Sequence, residues 1–321
     1  MTYSTRKKNR IAVLGATGHI AQSVIHGLAL NEGYELFLYA RNEDKLKSTL
    51  SSIPDLQKNE VYTPAFSDFN DFDYDVIINC IGIGNPSELI RNPFLVFSVT
   101  EDYDNLVLKY LQEHDSTMYI NFSSGAAYGS DFHSPASATK SANYDLNKLS
   151  TQDFYGITKL NTEAKHRSLT DKSIIDLRIF GFFSSFIDLN SKFLLTDIVN
   201  SIQSGEILLT TPQNIIRDYV HPTDLDALIQ LCMNSSNVNT AFDVYSLNSI
   251  SKFEILDYFS KNYGLKYQIQ EDASLQSATG SKTNYYSSNS KAEIIGYSPV
   301  HNSLQSIIDG YRLLENRWKN A

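Results

Sequence analysis

The sequence predicts an α/β protein, a doubly wound parallel sheet with a smaller, mostly C-terminal second domain. Three observations carry that expectation. The first ordered stretch reads as strand, glycine turn and helix, from Arg10 to Leu30. Strand-like and helix-like stretches then alternate as far as Phe180, the pattern of a parallel sheet with crossover helices. Small and polar residues collect just after the strands, where open α/β sheets bind their ligands.

The bulk composition fits this class and excludes others. A chain of 321 residues can bury a large core as one domain or two coupled ones. The net charge of −9 argues against a nucleic-acid surface, since the basic run Arg6 to Arg10 precedes the first strand as a solvated tail. No apolar run reaches the roughly 18 residues of a membrane span, and the N-terminus has no apolar signal core. The expected location is therefore cytoplasmic. Cys80 and Cys232 both lie in apolar runs and read as buried free thiols. With no Cys/His cluster at ligand spacing, no structural metal is expected.

Taken in order, Arg10–Leu14 is the first strand and Gly15-Ala16-Thr17-Gly18-His19-Ile20-Ala21 the turn into a helix. Glycines let the backbone turn sharply and approach a phosphate, and the helix N-terminus offers its free N–H groups to an anion. Gly15, Thr17, Gly18, His19 and Ile20 are thus the first cofactor-binding candidates. The second strand, Glu35–Ala40, ends in Arg41, where an Arg can accept a ribose 2′-phosphate; the implied cofactor is NADP rather than NAD, the plain alternative being a surface Arg. Val61–Phe66 is a weak third strand leading to Asp68 and Phe69, beside which an adenine could lie. Asp75–Cys80 is the fourth strand, opening into Ile81, Gly82, Gly84 and Asn85; glycines there suit a flat ligand against backbone.

A helix from Pro93 to His114 and a fifth strand, Thr117–Phe122, follow. That strand ends in Ser123-Ser124-Gly125-Ala126-Ala127-Tyr128-Gly129, with serines aimed at the ligand crevice. Ser130 to Asp153 is polar, and a loop of that length inside a compact domain is uncommon unless it is functional. Tyr155 starts the next helix, which runs to Ser168, and Ile174–Phe180 is the sixth strand. Tyr155 and Lys159 are four apart, so they stack on one helix face, and an ammonium beside a phenol favours the ionised phenol. With 20 Tyr in the chain the spacing alone proves little. Later stretches are less regular: a helix over Ser191–Ser204, strands at Glu206–Thr211 and Ile216–His221, and a helix Asp224–Met233 capped by Thr223. A strand at Phe242–Tyr245 and helices at Phe253–Tyr263, Lys291–Ile295 and Ser303–Arg317 close the chain.

Together these residues resemble the extended short-chain dehydrogenase/reductase family, in its nucleotide-sugar epimerase/dehydratase/reductase branch. The resemblance rests on Gly15-x-x-Gly18-x-x-Ala21, Asn79-Cys80-Ile81-Gly82, Ser123-Ser124-x-x-x-Tyr128-Gly129, Tyr155-x-x-x-Lys159, Leu177-Arg178 and Arg217-Asp218-Tyr219-Val220-His221-x-x-Asp224, in that order. It implies a Rossmann NADP-binding domain over residues 1–182, with 207–235 returning to it, and a substrate-binding domain from 183–206 and 236–321. It also implies Tyr155 as catalytic acid/base, Lys159 as its partner and a ribose contact, and Ser124 on the reacting oxygen. Cys80, Ile81 and Gly82 would line the cofactor. Asn85, Ser124 and Arg217 fall on the substrate side, Arg217 facing a substrate phosphate with its planar fork; a salt bridge from Arg217 to Asp218 or Asp224 is the plain alternative. The implied partner is a nucleotide-diphosphate sugar, and the implied assembly a homodimer through two helices including that of Tyr155.

Departures from the family pattern narrow the reaction. Dehydratases carry an Asp-Glu pair after the active-site Ser/Thr, and enzymes that epimerise at two centres before reducing carry a Cys there; this chain has Gly125 and Ala126. That leaves reduction of a 4-keto group, which an NADP preference at Arg41 favours, or 4-epimerisation through a transient ketone. Gly181 stands where the family commonly places an Asn on the diphosphate. A non-catalytic NADP-binding sensor or scaffold is the alternative of another class, set against the retention of Ser124, Tyr155 and Lys159.

Overall fold

The computed structural model describes residues 9–31, 33–84, 86–271 and 282–319. In chain order the first half comprises β1 (Asn9–Leu14), α1 (His19–Ala29), β2 (Tyr34–Tyr39), α2 (Glu43–Ser51), β3 (Glu60–Tyr62), β4 (Val76–Asn79), α3 (Pro86–Arg91), α4 (Phe94–Leu111), β5 (Met118–Ser124), α5 (Thr151–Ser168) and β6 (Ile174–Ile179). The second half comprises α6 (Leu194–Ser204), β7 (Leu208–Thr210), β8 (Ile216–Arg217), α7 (Pro222–Met233), β9 (Asn239–Val244), β10 (Ile250–Ser251), α8 (Lys252–Tyr263), β11 (Tyr267–Ile269), β12 (Asn284–Tyr285) and α9 (Ser303–Lys319).

Seven strands form one parallel sheet in the order β3-β2-β1-β4-β5-β6-β9. Its apolar residues alternate with the period of a strand, so successive side chains feed opposite faces. Ile11 and Val13 join Leu36, Ile78 and Leu177 on one side; Ala12 and Leu14 join Phe37, Tyr39, Ile77 and Tyr119 on the other. Helices cover both faces, as a parallel sheet requires. The strand order reverses between β1 and β4, which opens a crevice at their carboxyl ends. A separate core gathers Phe183, Leu195, Ile198, Leu256, Phe259, Ile307 and Tyr311 in the second, smaller domain.

Several elements differ from expectation for local reasons. The third strand stops at Tyr62, because Pro64 cannot donate to a ladder, and Phe66–Asp71 winds into a 3-10 helix. The expected strand Ile216–His221 is two residues long, with Val220 in an isolated bridge to Phe182. Asn239–Val244 is the seventh strand of the central sheet, so the chain returns to the first domain beyond the 207–235 stretch, while β7 pairs with β11 outside that sheet. His221, not Thr223, caps α7: its Nδ1 accepts from the Thr223 N–H at 3.2 Å. Tyr155 lies one turn inside α5, which begins at a capping box between Ser150 and Asp153. Lys291–Ile295 is a 3-10 turn ended by Gly296 at φ +88°. Among the described residues no helix is long and apolar enough to cross a membrane.

Candidate active site

The glycine turn joins β1 to α1 at the reversal point. Gly15 sits at φ +78°, and a Cβ on it would meet Ile81 Cγ1 at 2.9 Å, so residue 15 must be glycine for β1 and β4 to lie this close. Gly18 is the N-cap of α1 and no side chain caps the helix there. Thr17, His19 and Ile20 flank that open end, whose N–H groups are a ready anion cradle. The His19 ring packs 5.2 Å from Phe182 and its Nε2 pairs with Ser184 Oγ at 2.9 Å. Burial pushes its pKa down to about 4, so His19 is neutral and the backbone, not the imidazole, supplies positive potential.

Beyond β2 and β4 the candidates diverge. Arg41 is exposed, on the rim of a cavity of about 170 Å³ that Glu43 and Lys47 also line. Asp68 is half-buried and accepts from Ser67 Oγ. Phe69 is fully buried against Tyr39 and Tyr74, and its carbonyl accepts from Tyr74, so its side chain belongs to the core. Cys80 is a free thiol whose pKa burial raises, hence unreactive; Asn79 Oδ1 accepts from the Ile81 N–H at 3.0 Å and shapes the turn into Gly82. Asn85 lies outside the described residues.

Lys159 links the end of β5, which carries Ser124, to the Tyr155 ring on α5. Ser124 ends β5, and its Oγ accepts from the Ala126 N–H at 3.2 Å. Helix α5 presses on the turn that follows: a Cβ on Gly156 would stand 2.5 Å from the Ala126 carbonyl oxygen. Lys159 is buried, donates to the Phe122 carbonyl at 2.8 Å and holds Nζ 5.9 Å from the centre of the Tyr155 ring. A Cβ on Gly82 would be 3.5 Å from that Nζ, so the ammonium faces the end of β4 as well as β5. Next to this group, Arg178 pairs with Glu163 and, at 3.3 Å, with Asp243; Glu163 also accepts from Ser123. These charges are satisfied within the protein and serve to hold α5 on the sheet.

Arg217 reaches the site from β8. It is buried, with NH1 donating to the carbonyls of Ile216 at 2.8 Å and Lys282 at 2.9 Å. The ion-pair alternative does not hold among the described residues: Asp218 accepts from Ser246 and Ser303, and Asp224 from His301 and Val300. Sequence reasoning missed Tyr285, which meets Ser124, and Lys282, Phe132 and Phe180, which pack around the Tyr285 ring. Tyr285 Oη lies 3.0 Å from Ser124 Oγ, and Lys282 Nζ lies 4.7 Å from the Tyr285 ring centre and 5.3 Å from that of Phe132. Burial, then the nearby Arg217 charge, lowers Lys282 to about 8. Nothing local in the Ser- and Asn-rich stretch around residue 285 signals this; it lies 161 positions from Ser124.

Both family departures have a steric cause. A Cβ on residue 125 would stand 2.3 Å from Phe180 Cε1, and one on residue 181 would stand 2.4 Å from the Asp218 carbonyl oxygen. Neither position has room for a side chain.

Solved structures with this fold include three sugar-nucleotide epimerases. A UDP-glucose 4-epimerase from Stenotrophomonas maltophila, with bound NAD and formylated UDP-arabinopyranose, superposes with TM-score 0.81 at 16% identity, covering 98% of this chain and 100% of that one. A UDP-glucuronic acid 4-epimerase from Bacillus cereus, with UDP-glucuronic acid and NAD, gives 0.78 at 16%, covering 96% and 99%. A UDP-glucose 4-epimerase from Bifidobacterium longum, with NAD⁺ and UDP, gives 0.76 at 18%, covering 97% and 99%. All three hold NAD, which overturns the NADP expectation drawn from Arg41. At Arg41 itself the structure shows an exposed side chain at the end of β2, the place of a surface Arg. No curated protein sequence matches the chain. The profile of the NAD dependent epimerase/dehydratase family matches residues 11–247, most of the chain and part or all of every strand of the central sheet, and the protein belongs to that family.

Proposed function

We propose that the protein is an NAD-dependent nucleotide-sugar 4-epimerase. The observation that carries this reading is the buried Lys159, whose ammonium donates to the Phe122 carbonyl two residues before Ser124 and lies 5.9 Å from the Tyr155 ring, at a strand end where position 125 is closed by Phe180. Dehydration needs an acid at 125 and 126 to expel water, and none is present. Net reduction drew its support from an NADP preference, which the NAD-bound relatives remove. Epimerisation leaves the redox balance unchanged and needs only that one phenol take a proton and give it back.

The glycine turn fits the cofactor, since Gly15 at φ +78° makes the tight turn and the uncapped α1 N-terminus leaves N–H donors for a diphosphate. When bound, the nicotinamide supplies hydride acceptance and return. The side chains do the rest. Tyr155 removes the proton from the sugar 4-hydroxyl, Ser124 donates a hydrogen bond to the same oxygen, and Lys159 keeps positive charge beside the phenol. Once the ketone has turned its other face, Tyr155 returns the proton. Arg217 and Lys282, two buried cations within reach of one aromatic ring, support a diphosphate on the substrate.

The test is incubation of the NAD-loaded protein with UDP-glucose, UDP-N-acetylglucosamine and UDP-glucuronate, read by proton NMR. The C4 epimer of at least one is expected. Consumption of NADH by a 4-keto sugar nucleotide without any epimer would replace epimerisation by reduction.

A further inference from the structure

Ser124 has one hydrogen to donate and two lone pairs to offer. The Ala126 N–H takes one lone pair at 3.2 Å. The second approach is occupied by the phenol of Tyr285, with Oη at 3.0 Å. Tyr285 comes from β12, in the second domain, and is held there on several sides. Its strand pairs in parallel with β8, the Asn284 N–H donates to the Phe132 carbonyl at 2.9 Å, and Asn284 Nδ2 donates to the His133 carbonyl at 2.6 Å. Ser287, two residues on, donates to the buried Asp243 carboxylate. The Tyr285 ring packs at 4.8 Å from Phe132 and 5.3 Å from Phe180. Among the described residues Ser124 Oγ is the hydrogen-bond partner recorded for that phenol.

The direction of that hydrogen bond follows from chemistry. A phenol is the stronger acid and so the stronger donor of the pair, and burial raises the Tyr285 pKa further, so it stays protonated. With Ala126 and Tyr285 both donating to Oγ, the serine hydrogen has no acceptor among them and is left for the substrate.

We propose that Tyr285 is a positioning residue of the reaction centre, donating to Ser124 Oγ so that the serine hydroxyl is held as a donor toward the reacting oxygen. This rests on the reading of Ser124 given above. The second domain thereby completes the active centre: without β12 in place, Ser124 can turn its hydrogen elsewhere.

The test is a double-mutant cycle on the NAD-loaded protein with UDP-glucose as probe, using Tyr285→Phe, Ser124→Ala and the pair. Tyr285→Phe lowers kcat about tenfold with KM within about twofold, as loss of one hydrogen bond in the transition state predicts. On the Ser124→Ala background the same change costs no more than about twofold, because the group it acts through is gone. Tyr286→Phe, a neighbouring phenol that does not touch Ser124, leaves kcat unchanged. Equal losses on both backgrounds, or no loss from Tyr285→Phe, overturn the inference. If no sugar nucleotide turns over, the functional reading fails separately. A crystal structure of the wild-type NAD complex then decides this one, as it does if Tyr285→Phe does not fold. Tyr285 Oη within hydrogen-bond distance of Ser124 Oγ supports it, and separation of the two overturns it.

Discussion

The Phe180 ring occupies the space that a side chain at residue 125 would need, with Cε1 2.3 Å from the site of a Cβ. An acid at 125 therefore cannot be added without moving the ring. Gly125→Asp is expected to destabilise the protein by about 1–3 kcal/mol through overpacking. Adding Phe180→Ala should recover part of that loss, which urea unfolding of the two variants will measure. A Gly125→Asp variant as stable as the parent would show that the ring yields freely.

Tyr155→Phe keeps the ring and removes the hydroxyl. Turnover should fall by roughly 10²–10⁴-fold, the usual worth of a general acid/base, while NAD affinity by calorimetry stays within about twofold. Retention of activity would sink the role given to Tyr155. Lys159→Met should weaken both turnover and folding, since its ammonium also holds the Phe122 carbonyl at 2.8 Å.

Two histidines give the stability a pH optimum with opposite signs on its flanks. His166 is wholly buried between Asp104, at 2.7 Å, and Asp176, at 2.9 Å. Burial by itself would lower its pKa, but the Asp176 and Asp104 carboxylates outweigh burial and push it up to about 9. Its folded pKa exceeds the unfolded value of 6.5, so its contribution is complete below about pH 6.5 and is lost as pH rises through about 9. The loss is on the order of 3 kcal/mol. His19, held down to about 4 by burial, acts the other way: stability falls as pH drops from 6.5 toward 4, because the unfolded chain binds the proton first. Thermal melts from pH 4 to 10 should therefore peak near about pH 6.5, where both flanks meet. His166→Gln should remove the alkaline limb and cost roughly 1.5–3 kcal/mol, the worth of a charged hydrogen bond, since Asp104 keeps Lys165 and Asp176 keeps Arg167.

Lys282 offers a test of the phosphate reading that needs no turnover. Burial and Arg217 hold its pKa near 8, with Asp153 a smaller opposing influence, so its charge is lost in the range where most lysines keep theirs. UDP binding by calorimetry should weaken above about pH 8, and Lys282→Met should abolish that pH dependence. Arg217→Lys should weaken UDP as well, because an ammonium cannot reproduce a bidentate fork. UDP affinity that is flat with pH in the parent would remove Lys282 from the site.

By itself the sequence determined the strand, glycine turn and helix at the N-terminus, the alternation to Phe180, and the spacing of Tyr155 and Lys159. These are local: the Gly15 turn, the two-residue period of Ile11 to Leu14 and the four-residue step on α5 depend on neighbours a few positions away. Ser124 was legible too, because it ends a clear apolar strand. Only the tertiary structure decided that Asn239–Val244 joins the central sheet, that Phe69 is core, and that Phe180 closes position 125. It alone brought Tyr285 to Ser124 and Lys282 over the Tyr285 ring, from a polar stretch with no periodicity of its own. The difference is physical. Backbone propensity and side-chain period are written within a few residues, whereas a hydrogen bond across 161 positions exists only once two domains have packed.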